Sequence, residues 1–234
     1  ALFANSPISA GQDTGWQSYR SRIWHEVDPD RCGLHRFIFE TDAGFEDYIE
    51  WALDVPMFFV VRNKAYQNMT NRGTFRDLLD GKIPSMRANM ADWKLHLSTL
   101  FPEVRARPHL EFRSADVAPP SMITSCPALW VGLVYDDAAA ANAWDLVKNL
   151  SFSQRLDFWA GCGRDGLRAS IPNHRGTVAD LANDLVAIAS EGLQRLAANH
   201  LGGPGDERFL EPLTNILATG RSQADQILSG EIEF

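Results

Sequence analysis

The hydrophobic period of this chain changes near residue 115. Before it, short segments alternate in twos or run β-branched and aromatic; after it, apolar residues return every three to four positions over long stretches. Strands gathered in one half and helices in the other predict an α+β fold. They argue against the βαβ alternation of a parallel doubly wound sheet. No internal repeat or low-complexity tract divides the chain. Residues 1–234 are therefore expected to form a single domain, strand-containing over 1–116 and helical over 117–234, and a 45% hydrophobic content is enough to fill its core.

Within the first half, residues 16–25 have helical spacing and LHRFIFE (34–40) alternates as a short strand. Phe45, Tyr48, Ile49, Ala52 and Leu53 fall at i, i+3, i+4, i+7 and i+8, a helix ending before Pro56. MFFVVR (57–62) reads as a buried strand that turns at Asn63 and Lys64 into a second. Short helices follow from the capping Thr74 to Gly81, and through MADWKLHLSTLF before Pro102. Beyond residue 115, segment 119–137 reads as a buried helix kinked at Pro127. Helices are expected over 138–148, 153–160, 177–199 and 206–219, with a last short one ending at Gly230. GCGRDG (161–166) and LGGPGDE read as loops.

The segment EVRARPHLEFR (103–113) carries the densest candidate chemistry. Read in twos, it puts Glu103, Arg105, Arg107, His109, Glu111 and Arg113 on one face and apolar residues on the other, the pattern of one β-strand. Two readings stay open from the pattern alone. The polar face is simply solvated, as in many antiparallel sheets. Or it lines a concavity in which arginines clamp carboxylate or phosphate oxygens while Glu111 balances charge or meets a metal.

Other chemistries are disfavoured. The net charge is −8, with no basic run, which argues against a nucleic-acid or anionic-membrane surface. No apolar run approaches a membrane span. Three scattered cysteines, Cys32, Cys126 and Cys162, suit buried thiols in a reducing cytosol, so a cytoplasmic protein is expected. The six histidines show no HExxH spacing, the glycines form no phosphate loop, and no GxSxG elbow is present. The opening ALFANSP has no initiating Met, which fits a processed product or a piece of a longer chain.

Ordered blocks then carry a resemblance over nearly the whole chain: ALFANSP, GW-x-S-x-R-S-x-IW (15–24), D-x-DR (28–31), GFEDYIEWALDVPM, TFRDLLDGKIP, HLSTLFPEVRARPHLEFRSAD, LWVGLVYDD and TGRSQADQIL. In this order and spacing the chain resembles the plant and proteobacterial type of glutamate–cysteine ligase, in the C-terminal half of the family's chain. A more distant similarity runs to carboxylate–amine ligases generally. The resemblance implies a curved antiparallel sheet of the glutamine-synthetase kind, holding ATP, Mg²⁺, glutamate and cysteine. The implied reaction phosphorylates the glutamate γ-carboxylate and lets the cysteine amine displace phosphate. A related ligase using another amine, or an amino-acid- or nucleotide-binding module without turnover, are the alternatives. The family's longer N-terminal portion, or a partner chain, is expected to complete the sheet and the metal shell.

Residue by residue, the family's E-x-R-x-x-D block matches at Glu111, Arg113 and Asp116. The resemblance implies catalytic roles for Arg113 and Arg105, nucleotide contacts from Arg105, Arg107 and Glu111, and a metal contact from Glu111. It implies substrate binding by Arg20, Trp51, Met57 and Arg113, with Trp51 standing where the family carries a tyrosine that lines the cysteine pocket. Ser114 to Pro120 replaces a glycine-rich family block, so that loop is expected to differ. Met69 and Ser85 stand where plant members carry regulatory cysteines, so no redox switch is expected.

Overall fold

A computed structural model describes residues 1–40 and 42–232. Contacts within the chain group into two units, Ala1–Ile23 with Ala115–Phe234, and Trp24–Ser114. The N-terminal segment contributes a minimal hairpin of β1 (Ile8–Ser9) on β2 (Gln12–Asp13), then α1 (Tyr19–Glu26), whose first turn is capped by Ser18 Oγ accepting from the Ser21 amide at 3.1 Å.

In the unit Trp24–Ser114, β3 (Cys32–Gly33) runs parallel to β6 (Phe101–Pro102), while β4 (Phe59–Arg62) and β5 (Ala65–Asn68) make an antiparallel hairpin. Asn63 and Lys64 at its tip both have positive φ, 52° and 63°, the twist that a two-residue hairpin turn requires. Of the expected buried strand (57–62) only Met57 and Val60 are buried. Three helices intervene: α2 (Phe45–Asp54), α3 (Phe75–Leu79) and α4 (Met90–Leu97). Thr74 and Asn89 cap α3 and α4, accepting from the amides of Asp77 and Asp92. One core gathers Met57, Val60, Met69, Phe75, Leu78 and Ile83; a second gathers Ala52, Val55 and Leu100, with Trp51 against it.

Two expectations fail in this unit. Residues 34–40 are not a strand: Arg36–Phe39 is a 3-10 helix, with Ile38 donating to the His35 carbonyl and Glu40 to that of Phe37. Alternation over so short a run cannot separate the two. Nor is 103–113 one strand. It folds back as a hairpin of β7 (Val104–Ala106) and β8 (Leu110–Phe112), turning around Pro108, where the Arg107 amide donates to the His109 carbonyl at 2.8 Å. Among the described residues the strands pair two by two, and the single curved sheet implied by the resemblance is not formed by this chain alone.

The helical unit is built from α5 (Ser125–Val134), α6 (Asp137–Val147), α7 (Phe152–Asp165), α8 (Val178–Ala198), α9 (Glu211–Thr219) and α10 (Gln223–Leu228). Helix α8 buries Ala182, Val186, Ala189 and Leu193 in a core shared with α5, with Leu210, Leu213 and Ile216 closing the same core. Its apolar stripe is what the period announced. Pro127 causes no kink, because α5 begins at Ser125 and the proline sits in the first turn, where its missing N–H has no acceptor to lose. Residues 161–165 are not a loop either; α7 runs through them to Gly166, at φ 59°. The glycine at 163 serves close approach: a Cβ there would stand 2.6 Å from Ser21 Oγ, and its carbonyl accepts from the Ser18 amide at 2.9 Å. No helix among the described residues is long and apolar enough to cross a membrane.

Candidate functional site

The β7–β8 hairpin converts a sequence alternation into a charge cluster. Its register sets Arg105 opposite Glu111 on one face. Arg105 is 7% exposed and spends its guanidinium inside the protein: Nε donates to Glu111 Oε2 at 3.0 Å, Nη2 to Oε1 at 3.0 Å and Oε2 at 2.6 Å, and Nη1 to the Leu100 carbonyl at 3.2 Å. Arg113 Nη1 donates to Glu111 Oε1 at 2.8 Å, and Arg107 Nε lies 3.6 Å from Oε2. Three cations thus share this carboxylate. Hydrogen bonding from Arg105 is the largest effect on the Glu111 carboxyl; burial opposes it, and the further hydrogen bond from Arg113 helps hold the group below its usual range.

The polar face is turned inward at Arg105, Glu111 and Arg113, while Arg107 and His109 at the turn are exposed. Arg105 is buried and Glu111 and Arg113 are partly so, whereas Leu110 on the opposite face is 50% exposed. Aromatic rings support the guanidinium planes: Phe101 lies 5.2 Å from Arg105 and 5.1 Å from Arg113, and Trp24 5.1 Å from Arg113. Such packing withholds water from the cations and strengthens their hold on an anion.

Beside the hairpin stands an aromatic wall. The Tyr48 hydroxyl bonds to the backbone of Ala106, and burial pushes its pKa up. Tyr48 packs edge-on to Trp51 at 5.0 Å, and Trp51 packs against His35 at 4.2 Å and Phe37 at 5.9 Å. Trp51 Nε1 donates to the Asp30 carbonyl at 3.1 Å. The i, i+3 spacing of Tyr48 and Trp51 on α2 signalled this pairing; nothing local signalled His35, Phe37, Phe101 or Trp24.

Met57 is 2% exposed and packs in the first core of its unit, while Trp51 packs against the second. Arg20 lies on α1 in the other unit, its amide donating to Ser6 Oγ at 3.2 Å. Asp116, the last member of the matched block, is 6% exposed and acts as an internal anchor. It accepts from the Asn5 amide at 2.8 Å, Ser6 Oγ at 2.7 Å and Ser18 Oγ at 2.8 Å, tying the N-terminal segment to the start of the helical half. None of residues 114–120 has positive φ, so the loop that replaces the glycine-rich block needs no glycine.

A metal does not fit these residues by themselves. Both Glu111 oxygens are taken by guanidinium groups, and among the described residues no three His, Cys, Asp or Glu side chains gather as a metal shell would need.

Comparison with known proteins decides the family. The model of glutamate–cysteine ligase family 2 (GCS2) matches residues 1–233. The chain belongs to that family. It is similar to the chloroplastic glutamate–cysteine ligase of Solanum lycopersicum, 37% identical over 231 residues, covering 97% of this chain and 42% of the relative. The chloroplastic ligase of Brassica juncea is 37% identical over 238 residues, covering 97% and 43%, and ligase A of Oryza sativa subsp. indica 36% over 232 residues, covering 98% and 45%. The chain therefore spans less than half the length of these glutamate–cysteine ligases. Their chloroplastic location overturns the cytoplasmic expectation. That expectation rested on unpaired cysteines, and thiols report a redox poise, not a compartment.

Proposed function

We propose that this chain carries part of the site of an ATP-dependent glutamate–cysteine ligase, the first step of glutathione-type thiol synthesis. The observation that carries the reading is the Arg105–Glu111–Arg113 cluster, backed by rings and held by a hairpin, in a family of this name. The γ-phosphoryl group of ATP passes to the glutamate γ-carboxylate, releasing ADP. The cysteine amine then forms the amide bond as phosphate leaves, and the amine gives up a proton. Negative charge builds on phosphoryl and acyl oxygens in both steps, and fixed guanidinium groups stabilise it without reorganising.

In this reading Arg113, oriented by Glu111 and by the faces of Trp24 and Phe101, clamps the transferring group. Arg107, the most exposed of the three, reaches the polyphosphate. Arg105 works through Glu111, since its donors are already engaged, and Arg20 holds a substrate carboxylate. Trp51 and its neighbours form the wall for the cysteine side chain. Glu111 serves as the charge anchor of the arginines. The strand pairs are pieces of a curved sheet of the glutamine-synthetase kind that an N-terminal segment or partner chain extends, and that segment supplies the carboxylates for Mg²⁺.

The test is ADP release on mixing the chain, joined to the N-terminal segment that supplies the Mg²⁺ carboxylates, with ATP, Mg²⁺, glutamate and cysteine. Release that requires both amino acids, and falls at least a hundredfold in Arg113→Ala, is expected, because a charged contact in a dry site is worth a few kcal/mol. Near-normal rates in that variant remove Arg113 from the reaction. Release without cysteine, or with another amine in its place, moves the chain to a different ligase chemistry.

A further inference from the structure

His35 is the member of the aromatic wall whose chemistry is not accounted for. It precedes the 3-10 helix with extended backbone, φ −112° and ψ 139°, and caps nothing. Its ring centroid lies 4.2 Å from that of Trp51 and 6.1 Å from that of Phe37, the latter nearly parallel at 15°. Its Nε2 is buried and has no hydrogen-bond partner among the described residues. Burial lowers the imidazole pKa to about 4 despite the nearby Asp30 carboxylate, so the ring is neutral at neutral pH. A buried nitrogen left without a partner is destabilising, so a donor that reaches it is held. The wall offers no relief: Trp51 donates to Asp30, the Tyr48 hydroxyl is bonded to the Ala106 backbone, and Phe37 has no polar atom.

Resting on the ligase reading above, we infer that His35 Nε2 is the hydrogen-bond acceptor for the thiol of the amine substrate, and so the residue that distinguishes cysteine from its sulfur-free analogues. The surroundings select that group. A carboxylate would seek a cation, which the rings and the neutral nitrogen do not supply, and an ammonium would go to the nearby Asp30 carboxylate and not to the imidazole. A small, polarisable group with a single weak donor fits, with the imidazole proton on Nδ1 and the lone pair on Nε2. Since Nε2 is covered, admitting the thiol requires one of the surrounding partly exposed rings to tilt aside.

The arrangement also bears on which nucleophile reacts. Cysteine offers an amine and a thiol, and the thiolate is the stronger nucleophile. An imidazole with a pKa of about 4 is too weak a base to deprotonate a thiol of about 8.5, so sulfur stays protonated and the amine is left to attack.

The test is NMR of the imidazole rings in the full chain labelled at histidine, with His35 assigned by its loss in His35→Phe. L-Cysteine and L-2-aminobutyrate, which carries methyl in place of thiol, are titrated in turn. Cysteine is expected to shift the His35 ring nitrogens and 2-aminobutyrate to leave them in place. His35→Phe, which keeps a ring and loses the nitrogen, is expected to weaken cysteine binding about tenfold and leave 2-aminobutyrate binding unchanged. Equal shifts with both ligands, no shift with either, or equal loss of both in His35→Phe overturns the inference and leaves His35 a packing residue. The readout needs no turnover. Cysteine bound at His35 with no ADP release from the completed enzyme sinks the ligase reading and leaves His35 a thiol contact without a reaction, whereas ADP release with a silent His35 sinks this inference alone.

Discussion

Asp116 shows how a residue can match a motif and yet serve the fold. A carboxylate three positions after Arg113 invites assignment to the same site, but its oxygens are spent on Asn5, Ser6 and Ser18 of the N-terminal segment. Replacing it by alanine strands one buried amide and two hydroxyls and removes the charge that faces the first turn of α1. Asp116→Ala is expected to lower unfolding free energy by about 3 kcal/mol, read as an earlier urea midpoint, with Asp116→Asn intermediate. A midpoint unchanged in both variants removes the anchoring role. Glu111 is the converse case. Its position was legible from the alternation, but its role was not, because the sequence shows neither which arginines reach it nor that they occupy both oxygens.

Between elements, two glycines of the helical unit let α5 and α8 approach closely. A Cβ on Gly132 of α5 would meet the Ala189 carbonyl of α8, and one on Gly192 of α8 would meet the Gly132 carbonyl. Both obstacles are backbone, so neither can step aside as a flexible side chain would. Gly132→Ala and Gly192→Ala are each expected to destabilise by about 3 kcal/mol, although alanine favours an isolated helix. Thermal melts at or above the wild-type midpoint would show that the helices can part without loss. Elements were legible where local signals agreed: the cap at Thr74, the stripe of α8, and the turn at Asn63 and Lys64. They were misread where a local signal has two structural solutions. Glycines at 161, 163 and 166 suit a loop as well as a helix pressed against a neighbour. An eleven-residue alternation suits a hairpin as well as a strand, since the period survives the reversal and Arg105 still meets Glu111.

At the scale of the whole molecule, acid should unfold the protein through several groups acting in the same direction. Burial lowers the pKa of His96 to about 4, with Nε2 at 2.8 Å from the Ala52 carbonyl, and His35 likewise to about 4. In the unfolded chain both titrate near 6.5. As pH falls from 6.5 towards 4 the unfolded state takes up protons first, so this stability is complete above pH 6.5 and is lost through that window. Glu111 and Asp136, held low by Arg105 and Arg195, add losses that begin near their unfolded values and continue below. Wild-type protein is expected to lose roughly 2 kcal/mol from His96 alone between pH 7 and 5, and His96→Gln to flatten that part of the profile. A parallel decline in both proteins, followed by urea midpoints, would exclude His96 as a source of the pH dependence.

The sequence by itself determined the segregation of strands and helices, most helix positions, and the gathering of charge in 103–113. These follow from local rules of period, capping and turn chemistry, which act within a few residues. Tertiary structure decided which groups meet: Asp116 with Asn5, 111 positions away, His35 with Trp51, and Phe101 beside two guanidinium planes. Those contacts depend on where the chain returns in space, and no local pattern encodes that return.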